Sequence, residues 1–519
     1  MHPYLISLIV LLGITSLTWF PALATKKMGI FDVIPSIFKT AENKIFNLQG
    51  NGLSIIAFAF LIYAFLNSKI LQSFFATTDQ EKWKKRRIWV IIGLTIFAST
   101  LTTFLWWYDE WILFLPLVIP LFLNIGLDKF SSFLCLFGGA SAGLLGSINP
   151  EVWTRIFSDI NDMTGEKTNF TGNTGIGFRL ASWLIFTVIF VLFNIWYCNK
   201  IYYQSSSSKQ KKTLQVLPVK ENGKKLSQGI KWLIGLIFGF SILITILGAT
   251  SWFASDKTPW AKQEGIAEKR EEWRDCLTSS YKGGIVKNKQ GTGEDYKKVG
   301  TMPKNIISGE EADKGKQQHI ATVQTGKTEP FWPKFGAWGH LQTCTLFVIG
   351  AVVICLLSRQ SIANTLITAF QKTVPVILAY IFMATSATIV QESGMADKLK
   401  NHLLSEKVTK HASIFTLFSI FFSFLVICFV VESLAGPLLF SITPVLLAIS
   451  SNTLLYGAMI MILARFLAAS VSPTNAILMS ALREVGTSYK EYIKKTWVLW
   501  LMVFLIALGL VGFCAFRYR

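Results

Sequence analysis

Two stretches of this chain, residues 106–150 and 430–475, repeat one unusual pattern, and that pattern limits the folds open to the whole. The first opens WWYDEW, runs through LFLPLVIP and closes on GGASAGLLGSINP. The second opens VVESLAGP, runs through LLFSITP and closes on ARFLAASVSPTN. Each sets acidic or small polar residues in apolar surroundings, follows them with a proline (Pro120, Pro444) and ends in a break of Ser, Asn, Thr and Pro. In hydrocarbon an unpaired backbone amide costs several kcal/mol, so irregular backbone at membrane depth survives only where protein buries it or where it lines a cavity. Two breaks in corresponding places mark interrupted helices in an internal repeat, the arrangement around which secondary transporters build a binding site.

The rest of the chain fits a membrane setting. Hydrophobic residues make up 52% and charged residues only 15%, and the apolar runs recur from end to end, which a soluble enzyme would rarely show. The net charge of +20 is concentrated in connecting segments, where Lys and Arg orient membrane proteins toward the cytoplasm, and no compact basic domain suited to nucleic acid appears. The seven cysteines have no CxxC or His-linked spacing, and His340 and His411 have no ligand spacing, so neither a metal site nor a disulfide framework is expected. No nucleophile–base set, HExxH or P-loop is present, which counts against an enzyme or an ATP-driven pump.

In chain order, residues 3–20 form a first span, expected to be retained because the residues before it carry no Lys or Arg as a signal peptide would. A polar stretch, 25–50, leads to a second span at 53–75 and the basic cluster EKWKKRR at 81–87. From 88 to 126 the chain is apolar except for the acidic pair at its middle. Two spans would need about 20 residues each, so a re-entrant hairpin with its tip at Asp109 and Glu110 fits better. A helix at 130–147 then enters the first break, Ser147, Asn149 and Pro150, after the small residues Gly138–Gly143 that permit close helix approach. A span at 176–197 follows. The connector 200–231 carries eight Lys against one Glu and should be cytoplasmic.

The second half mirrors the first. A span, a short interfacial segment at 358–372 and another span at 373–390 precede a hairpin at 413–450, whose tip holds Glu432, Ser433 and Gly436. The SSNT run at 450–453 reads as a surface turn. A helix from 454 then reaches the second break, Ser472, Pro473, Thr474 and Asn475, and continues through Leu478, with a last span at 496–513. The expected organisation is a first membrane repeat (1–200), a basic cytoplasmic linker (201–231), a connecting transmembrane helix (232–250), a hydrophilic external insertion (251–340) and a second membrane repeat (341–519). The fold class is thus an all-α polytopic membrane protein of two inverted repeats, each with a re-entrant hairpin and a broken transmembrane helix, placed in the plasma membrane.

These residues carry a resemblance. The stretch 138–200, with GSINP followed by GIGFRLASWLIFTVIF, and the stretch 430–510, with SPTNAILMSAL followed by YKEYIKKTW, resemble the YfcC branch of the DcuC-like carriers, within the broader ion-transporter superfamily. The resemblance implies that Asp109 and Glu110 stand where the family has two tip glutamates, and Ser433 and Gly436 where it has a small Ser/Gly-rich turn. It implies that Ser147, Asn149 and Pro150, with Pro473, Thr474 and Asn475, form the two breaks. It further implies uptake or exchange of a carboxylate-bearing metabolite, with dicarboxylates and basic amino acids both assigned within the family.

The chemistry of the breaks agrees. Half-helix N-termini suit a carboxylate, while unwound carbonyls with Ser, Thr and Asn oxygens suit a small cation or an ammonium. The three tip acids, against Arg465 in a span and Arg179 near a span end, favour exchange of basic amino acids such as arginine and ornithine over a C4-dicarboxylate. A bound Na+ or H+ would neutralise the acids and reverse that preference, and Glu432 has Arg465 as a candidate charge partner. The expected partners are a small-molecule substrate, the lipid bilayer and a second copy in a homodimer, with no nucleic acid and no cofactor beyond a coupling Na+ or H+. A channel or a non-transporting scaffold is the remaining alternative.

Overall fold

The computed structural model of the chain describes residues 3–21, 24–42, 51–71, 73, 80–105, 108, 110–149, 153, 173–207, 227–249, 281–282, 285–286, 340–395, 398, 414–430 and 451–518. Asp109, Pro150, Glu432, Ser433 and Gly436, the connector 208–226 and nearly all of 250–339 lie outside these residues. The described chain is almost entirely helical. In order come α1 (Pro3–Leu17), α2 (Ile30–Ala41), α3 (Asn51–Asn67), α4 (Gln80–Lys85), α5 (Arg87–Leu105), α6 (Trp111–Asn124) and α7 (Lys129–Phe133), which passes through a π segment (Leu134–Gly138) into α8 (Gly139–Gly146). Then follow α9 (Ile176–Ser207), α10 (Gln228–Ala249), α11 (His340–Leu357), α12 (Ile362–Glu392), α13 (Ile414–Val430), α14 (Ser451–Val471), α15 (Ala476–Glu484) and α16 (Tyr489–Tyr518).

Among the described residues seven helices are long and apolar enough to cross a membrane, and five more apolar helices are shorter. On several of them burial is one-sided. On α9, Leu180, Leu184, Val188 and Leu192 recur every four residues and are 43–61% exposed, whereas Phe186, Phe190 and Asn194 are fully buried. A stripe of exposed leucine and valine at helical spacing is a lipid-facing surface, since lipid offers apolar side chains no reason to turn inward. The chain is a multi-pass membrane protein.

One packing scheme occurs twice. In the first half α5, α8 and α9 pack against one another, and in the second half α13, α14 and α16 do the same in the same chain order. The interrupted helices α8 and α14 of the two halves also touch. The first triad is close because α8 is built from small residues. A Cβ on Gly139 would lie 2.5 Å from the Thr95 carbonyl, and one on Gly143 would lie 2.4 Å from the Ser99 carbonyl, so only glycine lets the helices approach this far. That contact puts the polar stripe Thr95, Ser99, Thr102 and Thr103 of α5 inside the protein. Its hydroxyls are bonded there: Asn194 Nδ2 donates to Thr95 Oγ1 (3.0 Å), Trp183 Nε1 donates to Ser99 Oγ (2.9 Å), and Trp111 Nε1 donates to Thr102 Oγ1 (2.7 Å).

Several boundaries differ from the sequence expectation. Residues 25–50 include α2, read above as a polar connector. Its Val33, Ser36 and Thr40 are buried, while Phe31 and Phe38 are 87% and 70% exposed, so an amphipathic helix hides in a stretch of mixed composition. The interfacial segment and span expected at 358–390 are one helix, α12, continuous through Pro375. The Thr373 hydroxyl, two residues before the proline, donates to the Ala369 carbonyl (2.9 Å) in the preceding turn. The SSNT run expected to be a turn begins α14, α15 runs beyond Leu478 to Glu484, and α16 already starts at Tyr489. Lysines at a span end hold their charge in water on long stems, so they need not stop a helix.

A second compact unit, Leu243–Gln342, carries among its described residues the end of α10, the start of α11 and a two-residue hairpin in which Tyr281–Lys282 (β1) runs antiparallel to Ile285–Val286 (β2).

Candidate functional site

The first break is a left-handed stop. Ser147 takes φ 44° and ψ 59°, and its amide closes α8 on the Gly143 carbonyl at 3.0 Å. A non-glycine residue pays roughly 1–2 kcal/mol for this conformation, so the surroundings must hold it. They do so from two sides. Trp153 Nε1 donates to the Ser147 carbonyl (2.7 Å), and Arg179 Nη1 reaches the Ser147 and Ile148 carbonyls at 3.5 and 3.4 Å. The Arg179 guanidinium also stacks over Trp153, 4.7 Å from the ring centroid. Across the break the chain leaves its own helix and bonds to the end of α5. Ile148 N donates to Thr103 Oγ1 (3.1 Å), Asn149 N to the Thr103 carbonyl (3.0 Å), and Asn149 Nδ2 to the Phe104 carbonyl (2.8 Å). The Ser147 hydroxyl is 3% exposed and has no hydrogen-bond partner among the described residues.

The second break repeats this docking with other donors. Ser472 Oγ donates to the Phe429 carbonyl at the end of α13 (2.5 Å), and Thr474 Oγ1 approaches the same carbonyl at 3.4 Å. The Ser472 hydroxyl also accepts from Thr474 N (3.0 Å), which folds the turn around Pro473. Asn475 caps both neighbouring helices. Its Oδ1 accepts from Leu478 N (2.9 Å) at the start of α15, and its Nδ2 donates to the Ala469 carbonyl (2.9 Å) near the end of α14. Asn149 and Ser472 thus do the same thing in the two halves: each pins a helix break to the end of an earlier helix, α5 or α13.

Glu110, the described member of the first tip, is half-buried at the N-cap position of α6, where its carbonyl accepts from Leu113 N (3.0 Å). Pro116 and Pro120 lie inside α6, which stays helical through both. That helix packs against α15, so the arm descending from the first tip adjoins the short helix that leaves the second break. Arg465 is half-buried in α14, its guanidinium 5.4 Å from the Phe466 ring centroid; its expected partner Glu432 is outside the described residues. The structure therefore sets Asn149 on Thr103 and Phe104, Ser147 against Trp153 and Arg179, Ser472 and Thr474 on Phe429, and Asn475 between α14 and α15.

Four residues at the breaks were not in the expected set: Thr103, Trp153, Tyr489 and Tyr492. Arg179 was noted in the sequence only as a cation near a span end. An arginine inside an apolar span was the available signal, because such a charge needs acceptors.

Two helix breaks, each braced against the end of helix α5 or α13 inside a multi-pass bundle, suit a membrane carrier. The chain belongs to the DcuC family, the C4-dicarboxylate anaerobic carriers, whose family model matches residues 76–514. A comparison with curated proteins found no match. Among solved structures, the YdaH transporter of Alcanivorax borkumensis is 12% identical, with a TM-score of 0.42 over 99% of this chain and 98% of that one. MtrF of Neisseria gonorrhoeae is 10% identical, with a TM-score of 0.40 over 99% of this chain and 95% of that one.

Proposed function

We propose that the protein is a secondary carrier of a small dicarboxylate of the C4 class, coupled to Na+ or H+, with its substrate site at the two breaks. The observation that carries this reading is Arg179. Its guanidinium lies against the first break, within 3.5 Å of the Ser147 carbonyl, and the residue is only 2% exposed. Opposite unit charges about 4 Å apart attract by roughly 4 kcal/mol at an effective dielectric near 20, and arginine's planar fork matches a carboxylate. Arg465 adds a second cation on α14, the helix that packs on α8. Two fixed cations at the interrupted helices answer the two charges of a dicarboxylate, and membership of the DcuC family agrees with that choice. Basic amino acid exchange is the second reading, favoured by Glu110 at the start of α6.

Uptake of labelled succinate and fumarate into proteoliposomes, beside arginine and ornithine counterflow, with and without Na+, separates the two. Saturable succinate uptake is expected, and Arg179→Gln should lower its rate about tenfold or more, since a charge-assisted hydrogen bond contributes about 1.5–3 kcal/mol. Robust arginine–ornithine exchange without dicarboxylate uptake would replace this reading with the second.

A further inference from the structure

A helix that stops leaves four carbonyls without an amide donor, and inside a membrane each needs another. At the end of α14 all four are accounted for. Ser472 accepts from Asn475 N (3.2 Å), Ala469 from Asn475 Nδ2 (2.9 Å), Ser470 from the Tyr492 hydroxyl (2.7 Å), and Val471 from the Tyr489 hydroxyl (2.8 Å). The first two caps are made by the break itself. The last two come from the opening turns of α16, where positions three apart share one helix face.

Tyr492 also faces the other repeat. The residue is 1% exposed, and its ring meets Phe133 edge-on at 5.7 Å and Phe130 at 6.5 Å, both on α7. Trp500 flanks the same ring at 6.5 Å, and Tyr489 lies 6.2 Å away. One side chain therefore holds the second break by its hydroxyl and the first repeat by its ring. The loop after α15 can place these hydroxyls because Tyr492 N donates to the Ser488 carbonyl (2.9 Å), while the Ser488 hydroxyl accepts from Glu491 N (3.2 Å), which starts α16 in a fixed register.

We propose that Tyr489 and Tyr492 are positioning residues of the second break: their hydroxyls hold the last carbonyls of α14, so that the Ser472–Asn475 turn keeps the geometry in which it meets the substrate carboxylate. The substrate half of this proposal rests on the carrier reading above; the clamp half does not. Water could cap the same carbonyls, but water exchanges. A phenol anchored by a buried ring stays in place.

Tyr492→Phe and Tyr489→Phe each delete one hydroxyl and keep the ring, so the aromatic contacts survive. Two measurements are made on full-length protein. In hydrogen–deuterium exchange, the amides of Thr474, Leu478 and Met479 should exchange about tenfold faster in Tyr492→Phe than in wild type, because local opening frees them. Tyr203→Phe, on an exposed ring at the end of α9, should match wild type. In proteoliposomes, Tyr492→Phe should raise the half-saturating succinate concentration severalfold while leaving the maximal rate within about twofold; a purely structural defect would instead lower the amount of active protein and hence the maximal rate. Unchanged exchange in both variants overturns the clamp, whatever the protein carries. Faster exchange with an unchanged half-saturating concentration overturns the role toward substrate. Faster exchange in a protein whose wild type moves neither succinate nor arginine refutes the carrier reading and leaves the clamp standing.

Discussion

Asn149 donates its side-chain amide to the carbonyl of Phe104 at 2.8 Å, bridging 45 residues of chain, and Ser472 reaches Phe429 in the same way across 43. Each bond ties a helix interruption to the last turn of a long helix, α5 in one half and α13 in the other.

Asn149→Leu keeps the side-chain size and removes the donor. The variant should lose about 0.5–1.5 kcal/mol of stability, the net contribution of a typical hydrogen bond. Asn173→Leu, at an exposed position before α9, should be neutral. Unfolding titrations in mixed micelles compare the two, and equal midpoints would show that the Asn149 bond does not hold the break.

Gly143→Ala tests the approach of α8 to α5. The new Cβ would lie 2.4 Å from the Ser99 carbonyl and 2.9 Å from Thr102 Cβ, both on a rigid helix, so α8 must shift. A destabilisation of about 1–3 kcal/mol is expected from overpacking. Gly235→Ala on α10, where nothing lies within 4 Å, should instead be neutral or stabilising by up to about 1 kcal/mol through helix propensity. Folded yield and detergent melting curves report the difference.

The free face of α2 should rest in the membrane interface. Phe31, Ile34 and Phe38 share one arc of that helix and are 87%, 45% and 70% exposed, while Asp32 and Lys39 occupy the next arc toward water. An environment-sensitive fluorophore on a single cysteine at 34 or 38, in a cysteine-free background, should show blue-shifted emission quenched by lipid-borne nitroxides. The same label at 32 should not. Water-like emission at all three would place the face elsewhere.

Topology follows from the clustering of Lys and Arg in the short connectors. In intact cells a cysteine at 288 should react with an impermeant maleimide, and one at 210 should react only after permeabilisation. The opposite result would invert every assignment of side.

Much of the architecture was legible in the sequence because it depends on neighbours. Apolar runs at helical length marked the spans, and the GSINP and SPTN breaks were visible because Pro and short polar side chains act on the backbone within a few residues. The small residues 138–143 announced a close helix contact. Local pattern misled where two signals competed: the polar residues within 358–372 suggested an interfacial segment where a continuous helix runs from Ile362, and the mixed composition of 25–50 concealed α2.

What the sequence determined by itself is therefore the membrane setting, the helical class and the places where helices stop. Which distant group satisfies each interruption was decided only by the tertiary structure. The carbonyl of Phe104, the indole of Trp153 and the hydroxyls of Tyr489 and Tyr492 carry no local mark of these roles, and the last two lie in a segment whose visible feature is its lysines; Arg179 showed only that a cation in an apolar span needs acceptors, not which ones. The physical reason is that a break creates a demand for hydrogen bonds by local rules, whereas meeting that demand depends on which helices pack together. That packing is set by small residues such as Gly139 and Gly143 and by lipid-facing stripes spread over the whole chain.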